Sequence, residues 1–305
     1  MGYATILIKE MPALRSPSLI IGLRGWGNAL EVSADMAAYL VDQHQGRSIG
    51  HIHSDACYRY DENRPIIKIE NGELKAIQCP GGRLFAVQSS GDNNKDLLIL
   101  IADEPHINWH CFSSEVVDLA ITFGATSVIT LGSLLDHVLH MDRIITAAAT
   151  GVDYSDVFKR YHVGPVNYHG PCSIHNLILD QCRKREIAGV SLWGHCPAYV
   201  QGITHYGLMI HLGRLLAEMI PFPIQIDGLQ TRWKDVKVEI QQLIKENPKL
   251  EAIMEEIRKK KRAGAWQNLD QSGKTKGNVI SLEAFRGVSG QSLSGSNQQP
   301  PYKNS

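Results

Sequence analysis

The chain has 305 residues, of which 43% are hydrophobic, enough to bury the core of one large α/β domain or two small ones. Its 31 Lys and Arg residues balance its 31 Asp and Glu residues, so no overall field favours binding to nucleic acid or a membrane surface. No apolar run approaches the roughly 18 residues of a membrane span and the first is too short for a signal peptide, so we expect a cytoplasmic protein.

The first half of the chain alternates predicted strands with predicted helices. Residues 18–24 form a strand candidate that runs into Gly25 and Gly27, after which apolar residues recur at helical spacing. Asn28 is a suitable N-cap, with Glu31 three residues on, so a helix is predicted to begin there. Further strands are predicted at 49–54, 66–70, 74–78, 83–89 and 97–102, and a helix at 108–123. The Asn71-Gly72 pair predicts that the strands on either side of it form a hairpin.

The second half continues the alternation. Strands are predicted at 126–132, 143–148 and 188–193, and helices at 174–185 and 205–219. Apolar runs that end at Gly132 and Gly194 are typical of buried parallel strands that stop at a functional edge. The sequence therefore predicts an α/β fold of three layers, αβα, with helices on both faces of a mostly parallel mixed sheet.

The chain divides into three parts by composition. Residues 1–226 are predicted to form the α/β core domain. Residues 227–262 carry apolar residues at helical spacing interrupted at Asn247-Pro248, which predicts a C-terminal extension of two amphipathic helices. Residues 263–305 are rich in Gly, Ser, Gln and Asn and are expected to be a disordered tail, because they have too few apolar residues to offset chain entropy.

No cofactor is expected. The six cysteines include no Cys-x-x-Cys pair, which argues against a zinc ribbon, a redox motif and a disulfide framework. Gly273, Lys274 and Thr275 resemble the end of a phosphate-binding loop, but Asn268 stands where that loop needs its first glycine. The glycines after the first predicted strand also lack the G-x-G-x-x-G spacing of a dinucleotide site.

The 13 histidines raise the question of a metal site. The possible ligands are His51, His53, His106 and His110, with oxygen ligands from Asp55, Glu104, Asp136 and Asp142. Histidines that are solvated or hydrogen-bonded are commoner than metal ligands, so we expect no bound metal.

The basic run at 258–262 is a possible contact for nucleic acid. It closes a predicted helix, where positive charge is favoured by the helix dipole and by solvation. Nucleic-acid binding is therefore not expected.

A group of residues follows the predicted strands and defines the candidate site. Because the carboxyl ends of parallel strands meet at one edge, we expect these residues to line one crevice. They are Gly25, Gly27, Asn28, Gly132, Ser133 and Tyr199 as ligand-binding candidates, and Glu104, Asp55 and His195 as catalytic candidates. In the alternative interpretation they are structural: the glycines make turns, Glu104 caps the next helix and Tyr199 covers the sheet edge.

The order of these motifs resembles that of the proteasome assembly chaperone 2 family, especially its bacterial branch. The resemblance is carried by Leu19 to Leu23 with the glycine turn, His53 to Asp55, Leu97 to Pro105, Thr130 to Leu135, Gly170-Pro171 and Ser191 to Val200. The two helices from Leu229 to Arg262 fit the helical extension of the bacterial members, so the match covers roughly residues 18–262.

The resemblance implies a fold like that of purine nucleoside phosphorylase without its activity. It also implies homo-oligomers and, in archaeal and eukaryotic members, a non-enzymatic role in assembling proteasome rings. Relatives that bind the proteasome end in a hydrophobic residue, Tyr and any residue. Here Tyr302 is fourth from the end and follows Pro301, which argues against docking by that route.

Two functions of different classes remain open. The first is a non-catalytic, oligomeric protein that binds or assembles other proteins. The second is an enzyme acting on a nucleoside-like or carboxylate metabolite, with Glu104 or Asp55 as the acid-base group and Asn28 and His195 orienting the substrate.

Overall fold

The structure is a computed structural model that describes residues 5–91, 95–262 and 280–281. In chain order the strands are β1 (Ile6–Ile8), β2 (Ser18–Arg24), β3 (Arg47–Ile52), β4 (Ile66–Glu70), β5 (Glu73–Gln78), β6 (Gly82–Val87), β7 (Leu97–Asp103), β8 (Ser127–Asp136), β9 (Ile145–Thr150), β10 (Gly164–Pro165), β11 (Ala188–Pro197), β12 (Val200–Gln201) and β13 (Ile280–Ser281). The helices are α1 (Val32–Gln43), α2 (Ser54–Cys57), α3 (Trp109–Thr122), α4 (Ser155–Arg160), α5 (Ile174–Lys184), α6 (Tyr206–Met219), α7 (Asp227–Glu246) and α8 (Pro248–Arg262).

Nine of the strands form one mixed sheet in the order β1-β3-β6-β7-β2-β8-β11-β9-β10. The central strands β7, β2, β8 and β11 pair in parallel. Strands β1, β3, β6 and β9 run antiparallel to their inner neighbours, and β10 follows β9 in parallel. The parallel pairing of these core strands confirms the prediction of a mostly parallel mixed sheet. Buried apolar runs such as β7 suit strands that are covered on both faces.

Helices cover both faces of this sheet, which confirms the three-layer αβα prediction. Apolar residues of α1 and α6 pack with one face in a single core cluster. Apolar residues of α3 and α5 pack with the other face in a second cluster. The helices α7 and α8 join the first cluster through buried residues that include Leu229, Trp233 and Met254.

The helix predicted to begin at Asn28 begins four residues later, and this prediction was wrong. A short 3-10 turn occupies Ala29–Glu31, with Leu30 and Glu31 at positive φ of 49° and 56°. The side chain of Asn28 still supports the helix, because its Oδ1 accepts hydrogen bonds from the backbone N–H of Ser33 and Ala34 at 2.9 and 3.1 Å. It thus satisfies two free donors of the first turn from outside the usual N-cap position.

Two predicted strand ends were also wrong. Strand β8 continues past Gly132 to Asp136, and β11 continues past Gly194 to Pro197. A Cβ at position 132 would lie 2.8 Å from the ring of Trp193, so Gly132 makes room for this ring rather than a turn.

The predicted hairpin around Asn71-Gly72 is present as β4 and β5, an antiparallel pair that forms its own sheet. In the segment predicted to be a disordered tail, β13 pairs in parallel with β12, while residues 263–279 and 282–305 lie outside the described part. Within the described ranges, no helix is long and apolar enough to cross a membrane.

Candidate functional site

Strands β3, β7, β2, β8 and β11 end at one edge of the sheet, where the sequence predicts the site. A cleft of about 480 Å³ opens at this edge. Its lining residues are Arg24, Gly25, Trp26, Glu62, Asn63, Asp103, Glu104, Pro105, His106 and Trp109. Of the nine predicted site residues, Gly25 and Glu104 line this cleft and the other seven do not.

Glu104 holds two loops together in this cleft. Its Oε2 accepts a hydrogen bond from the backbone N–H of Trp26 at 3.1 Å, and its Oε1 lies 3.5 Å from the backbone nitrogen of Ile174, the first residue of α5. A carboxylate is favoured at a helix N-terminus by the helix dipole. Gly25 lies against this side chain with φ of 128°, and a Cβ there would be 2.9 Å from Glu104 Cβ. Glu104 therefore lies at the start of α5. The structural alternative was wrong in supposing that it caps the next helix along the chain, α3.

Asn28 and Ser133 connect the turn after β2 to β8. The backbone N–H of Ser133 donates to the carbonyl of Gly27 at 2.8 Å, and its hydroxyl donates to the carbonyl of Ala29 at 2.9 Å. The Asn28 Nδ2 donates to Glu31 Oε2 at 2.8 Å, in addition to the bonds from its Oδ1 to α1. Both side chains are buried, and these bonds go to the chain itself.

Aromatic rings cluster beside the turn after β2. The Trp193 ring lies 5.1 Å from the ring of His175 and 6.1 Å from that of Trp26. A Cβ at Gly27 would lie 3.1 Å from His175 Nε2, so the glycine permits this close approach. Burial lowers the pKa of His175 to about 4, because the imidazolium would lose its hydration. His175 is therefore neutral near pH 7.

His195 is the centre of a buried hydrogen-bonded line. Its Nδ1 lies 2.8 Å from Asp136 Oδ2, and its Nε2 lies 3.1 Å from Thr146 Oγ1. Burial opposes ionisation of Asp136, but hydrogen bonds from His195 and from the backbone N–H of His137 outweigh it and hold its pKa below the usual range. The order carboxylate, imidazole, hydroxyl resembles an activated nucleophile, but the side chain of His195 is fully buried and does not line the cleft.

Tyr199 is buried beneath the loop that precedes β9. Its hydroxyl oxygen accepts a hydrogen bond from the backbone N–H of His140 and lies 2.8 Å from His140 Nδ1. Burial raises the pKa of Tyr199. For His140, burial and the nearby Arg143 guanidinium lower the pKa to about 4. A neutral imidazole accepting from a neutral phenol satisfies both groups.

Asp55 lies apart from these residues. It belongs to the short helix α2 and accepts a hydrogen bond from the hydroxyl of Tyr60, with which it forms an exposed pair.

No group of three His, Cys, Asp or Glu side chains placed to hold a metal occurs among the described residues. At the end of α8, the basic residues form ion pairs such as Lys260–Glu256 at 2.7 Å and Arg262–Glu255 at 2.6 Å.

The sequence did not indicate the aromatic side chains of the site, Trp26, Trp109 and Trp193. A tryptophan two residues before Asn28 and another just before Gly194 were visible signals, since glycine permits a close approach that a side chain would block. Ligand binding by six of the predicted residues and a catalytic role for the other three, Glu104, Asp55 and His195, remain predictions. Their observed hydrogen bonds are internal, and the buried histidines His140 and His175 are neutral near pH 7.

Comparisons with known proteins identify relatives. The sequence model described as "PAC2 family" matches residues 19–244. A PAC2 family protein from Streptomyces avermitilis is 25% identical, with a TM-score of 0.66 over 74% of this chain and 95% of that chain. A proteasome-assembly chaperone homologue from Mycobacterium tuberculosis is 23% identical, with a TM-score of 0.66 over 75% of this chain and 96% of that chain.

A more distant structure extends the likeness to archaea. An archaeal proteasome activator from Pyrococcus furiosus is 18% identical, with a TM-score of 0.62 over 80% of this chain and 99% of that chain. No curated protein matches this sequence significantly. The likenesses under 25% identity support the fold alone.

Proposed function

This chain belongs to the PAC2 family, and from that premise we propose that it is a non-catalytic, oligomeric protein that binds other proteins in a chaperone-like, assembly-assisting role. Two proteins that share its fold motivate this proposal: one is a proteasome-assembly chaperone homologue and another an archaeal proteasome activator. Proteins of these kinds act through surfaces that contact other proteins, and the same scaffold is present here.

The observation that carries the proposal is the internal use of the polar groups at the strand-end edge. Glu104 binds two backbone N–H groups, Asn28 supports α1, and Ser133 donates to the carbonyl of Ala29. An enzyme site needs groups that converge on a substrate and are free to interact with it. Side chains already committed to the fold favour a structural role for this edge.

The oligomeric part of the proposal is tested by native mass spectrometry of the full purified chain over a range of concentrations. We expect discrete homo-oligomers whose population grows with concentration, as mass action requires. A strictly monomeric protein up to the highest soluble concentration would overturn this part of the proposal.

The assembly part is tested by cross-linking in living cells of the source organism. An assembly factor contacts the subunits of its target before they join the finished complex. We expect the cross-linked partner to be found in its unassembled form, with the finished complex free of this chain. A partner found only in the finished complex would identify a permanent subunit instead.

A further inference from the structure

The hairpin formed by β4 and β5 stands apart from the main sheet. Every residue of both strands is exposed, and the pair forms its own two-stranded sheet. A two-stranded hairpin is marginally stable in water unless a third strand or another layer covers it. Its conformation therefore indicates a surface prepared for a partner.

One face of this hairpin is entirely aliphatic. Ile67 pairs with Ile77, and Ile69 pairs with Leu74, because Lys75 is an extra residue that shifts the register between the two pairs. Residues that pair directly share a face, and alternate residues of a strand do so too, so these four side chains form one array. Each is between 53% and 59% exposed. We call these four residues the hairpin apolar face.

The opposite face is polar and carries the charges. Lys68 and Glu70 form an ion pair of 2.7 Å along β4, and Lys75 pairs with Glu73 along β5. Ile66 pairs with Gln78 and lies on this polar face, although its side chain is apolar and 70% exposed. An amphipathic sheet with one uncovered apolar face is the pattern of a protein-protein contact.

We propose that the hairpin apolar face packs against the same face of a second copy of this chain. This inference rests on the proposed function, because it assigns the contact surface of the oligomer proposed there. The face carries no charge, so it offers nothing to select an acidic or basic partner, whereas an uncharged two-by-two array of aliphatic residues is complementary to itself. A two-fold axis would stack the two arrays and leave both polar faces in water.

One further observation favours a second copy as the occupant. The described piece of the C-terminal tail, β13, pairs with β12 and not with the hairpin. Because four residues form a smaller contact than the ~800 Å² that each partner buries in a standard interface, the association is concentration-dependent.

The test compares the sedimentation velocity of three full-length proteins across a range of concentrations. The first is the natural chain, the second carries Ile67→Glu and Ile77→Glu, and the third carries the control Ile66→Glu. We expect the double variant to weaken self-association at least ~30-fold, because truncation or charge at the centre of an interface has this effect. The control makes a single change of the same type on the opposite face of β4 and should associate like the natural chain.

The outcomes separate this inference from the proposed function. If the natural chain is oligomeric and the double variant associates equally well, the hairpin contact is wrong and the oligomeric proposal stands. If the natural chain is monomeric, both fail. Equal weakening by Ile66→Glu would also overturn the assignment of the face.

A photo-reactive residue at Leu74 identifies the occupant directly, even where the charged variants disturb the hairpin. We expect cross-linked dimers of this chain joined between two β5 strands, with little cross-linking from the same residue at Ile66. Cross-links to residues 263–305 of the same chain, or to a different protein, would contradict a second copy as the occupant.

Discussion

Lowering the pH from 7.5 to 5 is expected to remove a large part of the stability of this protein. Three buried histidines, His140, His175 and His205, have pKa values lowered to about 4, 4 and 3, in each case chiefly because burial disfavours the charged imidazolium. In the unfolded chain the same residues titrate near their ordinary pKa of about 6.5. Between these values the unfolded state binds protons that the folded state does not.

The sign of the effect follows from this difference in proton binding. Well above pH 6.5, from about pH 7.5 upward, the histidines are neutral in both states and contribute no pH dependence. Below it, the free energy of unfolding falls with pH until the folded-state pKa values are reached. Each histidine costs roughly 2 kcal/mol by pH 5, and three together cost about 6 kcal/mol, a large share of the 5–15 kcal/mol typical of a domain.

Denaturant unfolding at a series of pH values measures this loss. Asp136, whose pKa is below the usual range, reduces stability in its own right only as the pH falls below about 4. Burial also lowers the pKa of His44 and of His211, which adds to the loss between pH 6.5 and 5. The variant His205→Asn removes one titrating group and keeps an N-cap acceptor for the backbone N–H of Leu208. It should flatten the pH dependence by up to about a third. An unfolding free energy that is constant between pH 7.5 and 5 would show that these histidines titrate normally in the folded protein.

Replacing Trp233 with alanine is expected to destabilise the protein by about 3–5 kcal/mol, the range for large aromatic residues in cores. Trp233 lies on α7 but is 8% exposed, because it enters the cluster shared with α1 and α6. Its ring stacks on His205 at 5.1 Å with an angle of 16°, and the Arg143 guanidinium lies 4.9 Å from the ring centroid. The variant would leave a cavity and remove the cation–π contact.

Denaturation midpoints of two matched variants make this test specific. Trp26→Ala makes the same change at a tryptophan that is 71% exposed and should cost less than about 1 kcal/mol. Trp233→Phe keeps an aromatic ring against His205 and should lie between the two alanine variants. A Trp233→Ala protein as stable as Trp26→Ala would mean that α7 contributes little to the core, and that residues 227–262 behave as a separate appendage.

The sequence predicted the sheet well because buried parallel strands leave a strong signal. The run from Leu97 to Ala102 is apolar at every position, and such a run needs cover on both faces. The hairpin was predicted from Asn71-Gly72, since this pair suits the positive backbone angles of a tight turn. These signals are local, and each depends on a few neighbouring residues.

The connections within the candidate site were not predictable, because they depend on the register of neighbouring strands that are far apart in the sequence. The hydroxyl of Ser133 meets the carbonyl of Ala29, and His195 meets Asp136, across separations of 104 and 59 residues. Gly132 suggested a strand end, but its lack of a side chain serves the ring of Trp193 on the neighbouring strand. A glycine has the same appearance in a sequence whether it serves a turn or a close packing contact.

The amphipathic character of the hairpin was hidden by a single extra residue. Strict alternation along β5 would place Leu74 and Ile77 on opposite faces. The register shift at Lys75 brings them to the same face, opposite Ile69 and Ile67. Bulges of this kind are set by the pairing of the two strands and leave little trace in either strand alone.

If the polar groups at the strand-end edge serve the fold and the protein acts through its surfaces, as proposed, small ligands should not bind at this edge. A thermal-unfolding screen of the purified full chain tests it most directly, with phosphate, nucleosides, nucleotides, amino acids, other carboxylates and divalent metals as ligands. A ligand at a hundred times its dissociation constant stabilises a protein by about 2.7 kcal/mol, which raises the midpoint by several degrees.

We predict that no ligand in this screen shifts the midpoint. The contrary result is a reproducible rise with one ligand that is lost in Glu104→Gln, a variant whose amide oxygen still accepts from the backbone N–H of Trp26. That result would identify the cleft as a ligand site, contradict the structural role of Glu104 and favour an enzyme.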